Sequence, residues 1–264
     1  MKSVYKIPQK IKCLTDERKR KSIPLFNIVM PVLLFLMLQY ESFHTIFSAP
    51  ESMSKRLKNC ISGRIPKVDA VRDLLSRINP DEIRSIHEEM IDIIKRNRVF
   101  REGTIGGYVV AGLDGVELFS STKKSCPNCL SRKKHTGETE YFYRSVVCMI
   151  IGKSPHVILG QEMLKPRDGS GKDEGELTGG KRLIERLKKR HGHFADVIVA
   201  DALYLNAPFI NTLKENGLEG VIRLKDERRM IFQDAEHLFK QDEGKKASFW
   251  KGKKKIEVWD LSGF

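Results

Sequence analysis

Two short apolar runs, each closed by a single aspartate, constrain this chain more than anything else in it. Val109-Val110-Ala111-Gly112-Leu113 leads into Asp114-Gly115, and Val197-Ile198-Val199-Ala200 leads into Asp201-Ala202-Leu203-Tyr204. Runs of this length and valine content read as buried strands. A carboxylate at the end of such a strand lies at the rim of a sheet, where open α/β sheets place their chemistry. The expectation is that the two strand ends meet and bring Asp114 and Asp201 together. Singly, each aspartate has an ordinary use: Asp114-Gly115 can be a turn and Asp201 a helix cap.

The surrounding pattern supports a sheet. Strands are expected at 108–114, 141–151, 156–164, 196–201 and 219–225, with helices at 180–190 and 207–216. Leu183, Ile184 and Leu187 mark the inner face of the first helix, and Asn216-Gly217 stops the second. The order β-β-β-α-β-α-β implies a mixed sheet with an antiparallel and a parallel part. Residues 120–139 read as a polar, basic loop, residues 152–155 as a turn and residues 165–175 as a loop.

Upstream of Gly103, Gly106 and Gly107 the periodicity is helical. Residues 1–22 are basic and polar, including Arg18-Lys19-Arg20-Lys21, and read equally as a solvated arm or an arm on DNA phosphates. The run Ile28–Leu38 is apolar for 11 residues, with Phe43, Ile46 and Phe47 extending its face. Spanning a bilayer takes about 20 residues, so a buried helix is expected and no membrane partner. A short polar helix at 51–62 precedes apolar positions at Val68, Val71, Leu74, Leu75 and Ile78. Pro80, Asp81 and Glu82 then start a further helix carrying Ile83, Ile86, Met90, Ile93 and Ile94. The expected domains are a basic arm (1–22), a helical N-terminal domain (23–102), a catalytic core (103–225) and a polar tail (226–264) with a hairpin around 247–259.

Charge and cysteines narrow the setting. The formal net charge of +14 suits a polyanionic partner, because each neutralised phosphate releases counterions. Five cysteines with no cleavable leader indicate free thiols in a reducing cytoplasm, in association with the nucleoid if DNA is the partner.

Phosphodiester chemistry is helped by two divalent ions about 3.5–4 Å apart, held by hard oxygen ligands. Asp114 and Asp201 are of the type such ions need, which makes magnesium or manganese the expected cofactor. Here the chain resembles a known family. Asp114-Gly115-Val116-Glu117-Leu118-Phe119-Ser120-Ser121, Cys126-Pro127-Asn128-Cys129-Leu130, Lys172-Asp173-Glu174-Gly175-Glu176-Leu177 and Ala200-Asp201-Ala202-Leu203-Tyr204 are similar to stretches of the DDE transposases of bacterial insertion sequences. The likeness is to the branch with a Tyr-x2-Arg-x3-Glu-x6-Lys signature, and it covers residues 20–264. The resemblance implies a ribonuclease-H-like fold with a β-rich insertion after the fifth strand. It also implies magnesium-dependent DNA cutting and joining at terminal inverted repeats, with Asp114 and Asp201 as the first two acids.

The third acid of that signature has no counterpart. Glu219, Glu227, Glu236, Glu243 and Glu257 all lack its flanking residues. The expectation is therefore a chain truncated inside the insertion that begins near Asp226, and inactive or nearly so by itself. The alternatives are a non-catalytic binder of element ends and a metal-dependent ribonuclease-H-like nuclease. Double-stranded DNA is the expected partner, and self-association is left open.

Other candidates carry less. Cys126 and Cys129 have zinc-ligand spacing, with His135 and Cys148 as further donors, but no second such pair exists and structural zinc is disfavoured. Glu174 and Glu176 read as charges complementing a helix N-terminus. Lys181, Arg182, Arg186, Lys188, Lys189 and Arg190 form a basic helix face suited to a DNA backbone. Tyr204 reads equally as a phosphate contact or a packing residue.

Overall fold

The structure is a computed structural model describing residues 4–39, 55, 59, 61, 65–102, 104–152, 154, 156–167, 172–241 and 245–260. The chain divides into two compact units, Met1–Val99 and Phe100–Phe264.

The first unit is helical. Helix α1 (Ile7–Lys12) and helix α2 (Phe26–Met37) pack together with α3 (Val68–Leu75) and α4 (Pro80–Arg96). The shared core contains Ile7, Ile11, Leu14, Ile28, Val71 and Leu74. Asn79 caps α4 by accepting from the Asp81 amide at 2.9 Å, and Pro80 occupies the first turn, where its missing N–H is harmless. The basic N-terminal segment is thus not a simple solvated arm. Ile7 and Ile11 are 6% and 3% exposed, and burying each such side chain is worth about 1.5–3 kcal/mol. Arg18 is also buried, held by Asp16 and by the carbonyl of Ile23 at 2.7 Å. Lys19, Arg20 and Lys21 remain exposed. Phe43, Ile46, Phe47 and most of the helix expected at 51–62 lie outside the described residues. Among the described residues no helix is long and apolar enough to cross a membrane.

The second unit is a mixed α/β layer. Strands β1 (Val110–Ser121), β2 (Leu130–Lys133), β3 (Thr139–Ile151), β4 (Val157–Met163), β5 (Val197–Ala200) and β6 (Glu219–Ile222) form one sheet. β3 is central to its antiparallel half. β1 lies along one edge of β3, while β2 and β4 pair with successive parts of the other. β5 and β6 extend the sheet beyond β1, both parallel to it. The strand and helix alternation expected from the sequence is present. The loop expected at 120–139 contains the additional strand β2. The first strand does not stop at Asp114 but continues to Ser121, because β3 is long enough to pair with it throughout.

Helix α5 (Glu176–His191) lies against β3 and β4, and α6 (Ala207–Glu215) packs beside it. α5 begins four residues before the expected start. Gly179 and Gly180, which usually weaken a helix, are in its interior and buried. The reason is close packing. A Cβ on Gly180 would come within 2.9 Å of Tyr204 Cε1 and 3.4 Å of Leu113 Cδ2, and one on Gly179 within 2.4 Å of Leu164 Cδ2. The tail also differs from expectation: before the hairpin β7 (Lys245–Lys251) and β8 (Lys254–Asp260) stands a helix, α7 (Met230–Gln241). Ile231, Ala235, Leu238 and Phe239 give it an apolar stripe that the many charges around it obscure.

The packing around Gly180 makes a direct prediction. Gly180→Val should destabilise the second unit by about 1–3 kcal/mol through overpacking against Tyr204 and Phe209. Gly175→Ala, with no atom within 4 Å of the added methyl, should be close to neutral in the same chemical-denaturation measurement.

Candidate functional site

Register sets the first pair of acids. β1 and β5 run parallel from Val110 opposite Val197 to Leu113 opposite Ala200. The next residues are Asp114 and Asp201, and Asp201 keeps an extended backbone (φ −78°, ψ 179°). Paired strands lie about 4.8 Å apart and residues in register share a face, so the two carboxylates stand side by side at the point where β5 ends. Both residues are exposed. Asp114 and Gly115 lie within β1 and form no turn, whereas the cap role of Asp201 is present: Asp114 Oδ1 accepts from the Gly115 amide at 2.8 Å, and Asp201 Oδ1 accepts from the Leu203 amide at 2.9 Å. These bonds fix the orientation of each carboxylate.

A third carboxylate comes from the first turn of α5. A Cβ on Gly115 would fall 2.2 Å from Glu176 Cδ and Oε2, so the residue after Asp114 must be glycine for Glu176 to lie there. Arg144 on β3 pairs with Glu176 Oε1 at 2.8 Å. Burial pushes the Glu176 carboxyl above the ordinary glutamate range, Arg144 opposes that shift, and the charges of Asp114 and Asp201 reinforce it. The influence of both aspartates on Glu176 places all three acids in one electrostatic neighbourhood. The helix-dipole reading of Glu176 holds but is incomplete. Glu174, by contrast, is structural: its side chain is 2% exposed, pairs with Arg182 and accepts from the Lys165 amide at 2.8 Å.

Tyr204 packs rather than facing a ligand. It is fully buried, with its ring 4.9 Å from that of Phe209 and its edge over Gly180. Its hydroxyl is buried without a hydrogen-bond partner. Burial, then Glu176, Asp114 and Asp201, raise its pKa and keep the phenol protonated. On the other side of Asp201 an open cleft is lined by Leu203, Leu205, Lys225, Asp226 and Arg229.

The donor chemistry suits a hard divalent cation, since three carboxylates offer oxygen ligands and the phenol above them stays neutral. Among the described residues, however, no three His, Cys, Asp or Glu side chains converge closely enough to hold an ion as they stand. Glu176 is instead paired with the Arg144 guanidinium.

The basic face of α5 is divided. Arg182 binds Glu162 at 2.9 Å, Glu174, and the Met163 carbonyl at 2.9 Å. Arg186 binds Glu162 at 3.1 Å and the Gln161 carbonyl at 2.7 Å. Both therefore tie α5 to β4 and are only partly exposed. Lys181 and Lys188 are half-buried, while Lys189 and Arg190 are exposed.

The cysteine pair also departs from the zinc arrangement. His135 lies beyond β2, which begins right after Cys129, so about four strand residues, or roughly 13 Å, separate them. Cys148 is fully buried in β3, five residues beyond Tyr143, the neighbour of Cys126, or roughly 16 Å along the strand.

No protein-family model matches this chain, and no curated protein matches it at a significant level.

Two outcomes test this geometry. Arg182→Ala should cost about 3 kcal/mol in urea unfolding, because it strands the buried Glu174 carboxylate. Lys189→Ala, on the exposed end of the same helix, should not. Glu176→Gln should stabilise the metal-free protein near neutral pH. A carboxyl whose folded pKa is raised contributes stability at low pH that is lost as pH rises through that pKa, and the amide removes this loss. The advantage of the variant should vanish below the ordinary glutamate range. Equal stability of the two proteins at neutral pH would contradict the assigned environment.

Proposed function

We propose that the second unit is a ribonuclease-H-like core of the DDE transposase kind, which cuts and joins DNA strands by metal-dependent phosphoryl transfer. The observation that carries this reading is the parallel register that brings Asp114 and Asp201 to neighbouring positions, four residue pairs along β1 and β5, with Glu176 of α5 within electrostatic reach of both. A strand order with β1 between the antiparallel β3 and the parallel β5 is what that fold requires. The acid that the sequence reading finds missing has a candidate within the chain, Glu176. This favours a reading in which the polypeptide has activity of its own, as a nuclease of this fold would.

Asp114 and Asp201 would hold magnesium or manganese, with Glu176 nearby but paired to Arg144. Such ions, when bound, activate the attacking oxygen and stabilise the leaving oxygen of a phosphodiester. The chain's own residues do the rest. Asp114 and Asp201, oriented by the Gly115 and Leu203 amides, fix where negative charge is concentrated. Arg144 holds Glu176 in place through a 2.8 Å ion pair and balances part of that charge. Lys225 and Arg229 line the cleft beside Asp201 and supply positive charge for a DNA backbone. The exposed Lys189 and Arg190 and the net charge of +14 add sequence-independent attraction.

The decisive experiment measures nicking of supercoiled DNA by the full chain with magnesium or manganese. Asp114→Asn and Asp201→Asn should each reduce the rate by about a hundredfold or more, the scale of losing several kcal/mol of transition-state stabilisation. Magnesium should also raise the melting temperature of the parent protein and not that of the variants, because only a folded site binds the ion. DNA binding that persists without any nicking, with no thermal response to either metal, would instead establish a non-catalytic binder of DNA.

A further inference from the structure

The pair Cys126 and Cys129 lies outside the acidic site. We propose that it is a redox-active dithiol, a modification site that exchanges with small disulfides of the glutathione class and closes reversibly into a Cys126–Cys129 disulfide. The inference is independent of the function proposed above.

Three features of the fold build the site. Cys126 and Cys129 close a tight turn over Pro127 and Asn128, with the Cys129 amide donating to the Cys126 carbonyl at 3.1 Å. Their sulfurs lie 2.9 Å apart. The turn leads directly into β2, whose first residue, Leu130, pairs with Phe142 of β3. That register brings the next residue of β3, Tyr143, to Cys126, with the phenol oxygen 2.5 Å from the sulfur. Both cysteines are partly exposed, so a small reagent reaches them.

The arrangement separates the roles of the two sulfurs. Hydrogen bonds from Cys129 and then from Tyr143 hold the Cys126 thiol below the ordinary thiol range. Cys129 is pushed the other way, first by its bond to Cys126 and then by burial. Cys126 is thus the attacking thiolate and Cys129 the resolving thiol. Cys126 Sγ attacks one sulfur of the small disulfide, the disulfide bond breaks, and one small thiolate leaves and takes a proton. Cys129 then loses its proton and attacks Cys126 Sγ in the mixed disulfide, expelling the second small thiolate. The protein loses two electrons and two protons, and the small disulfide is reduced to two thiols.

The other described cysteines provide contrast. Cys148 is wholly buried and its thiol is pushed up to about 12 by burial, which removes it from exchange. Cys13 is exposed and serves as an internal reference for simple accessibility.

The test exposes the full chain to oxidised glutathione near neutral pH, quenches with acid, alkylates and maps the peptides by mass. A Cys126–Cys129 disulfide should form before Cys13 is modified and should be reversed by dithiothreitol. Cys129→Ser should accumulate a glutathione adduct on Cys126. Cys126→Ser should form no internal disulfide and should leave the rate at Cys13 unchanged. Tyr143→Phe should slow the first step while leaving the rate at Cys13 unchanged. Modification of Cys13 at the same rate as Cys126, or no internal disulfide at all, would overturn the proposal. So would one tightly held zinc per purified chain that is lost in Cys126→Ser.

Discussion

The second unit depends on the parallel pairing of Val110–Leu113 with Val197–Ala200. The junction is anchored at its start by Asp196. Its carboxylate accepts from the Val109 amide at 2.6 Å, its own amide donates to the Val109 carbonyl at 2.8 Å, and its carbonyl accepts from the Glu219 amide at 3.0 Å. One residue thereby joins the beginnings of β1, β5 and β6. From that fixed start the register runs four residues and delivers Asp114 and Asp201 together. A slip of one residue would put the two carboxylates on opposite faces.

Missing side chains are the second constraint. Gly115 leaves room for the Glu176 carboxylate, Gly180 for the Tyr204 ring, and Gly160 on β4 for Leu183 and Leu187. α5 settles against the sheet only because these positions carry no Cβ in the way. The cost of glycine within a helix, about 1 kcal/mol relative to alanine, is offset by burying Leu183, Ile184 and Leu187 completely. Arg182 and Arg186 then fasten the outer side of the helix to β4. The same close approach carries Glu176 to the acids and leaves the Tyr204 hydroxyl sealed without a partner.

The strands and helices of the second unit were legible because their apolar runs and periodicities are strong and local. β2 was not, since one leucine followed by three polar residues gains strand structure only from the edge of β3. α7 was hidden by its charge, and the packing of α1 by the basic residues around Ile7 and Ile11. At the site, Asp114 and Asp201 stand out in the sequence as the ends of valine-rich runs. Glu176 does not, because a glutamate at a helix start has an ordinary electrostatic use. The one faint sign was the glycine directly after Asp114. The ion pairs of Arg182 and Arg186 with Glu162 and Glu174 were not legible, because the sequence shows which helix face is basic but not which carboxylates lie beside it.

By itself, then, the sequence determined which segments alternate as strands and helices, which two acids follow the buried valine-rich runs, and that the chain carries an excess of positive charge. These are properties of residues close together along the chain. Only the tertiary structure decided that Glu176 comes within electrostatic reach of the aspartates, that Arg144 pairs with it, that Arg182 and Arg186 are spent on internal ion pairs, and that Tyr143 meets Cys126. Each of these contacts joins residues far apart along the chain. Sheet register and the close fit of a helix over glycine set them, and neither is fixed until the strands have paired.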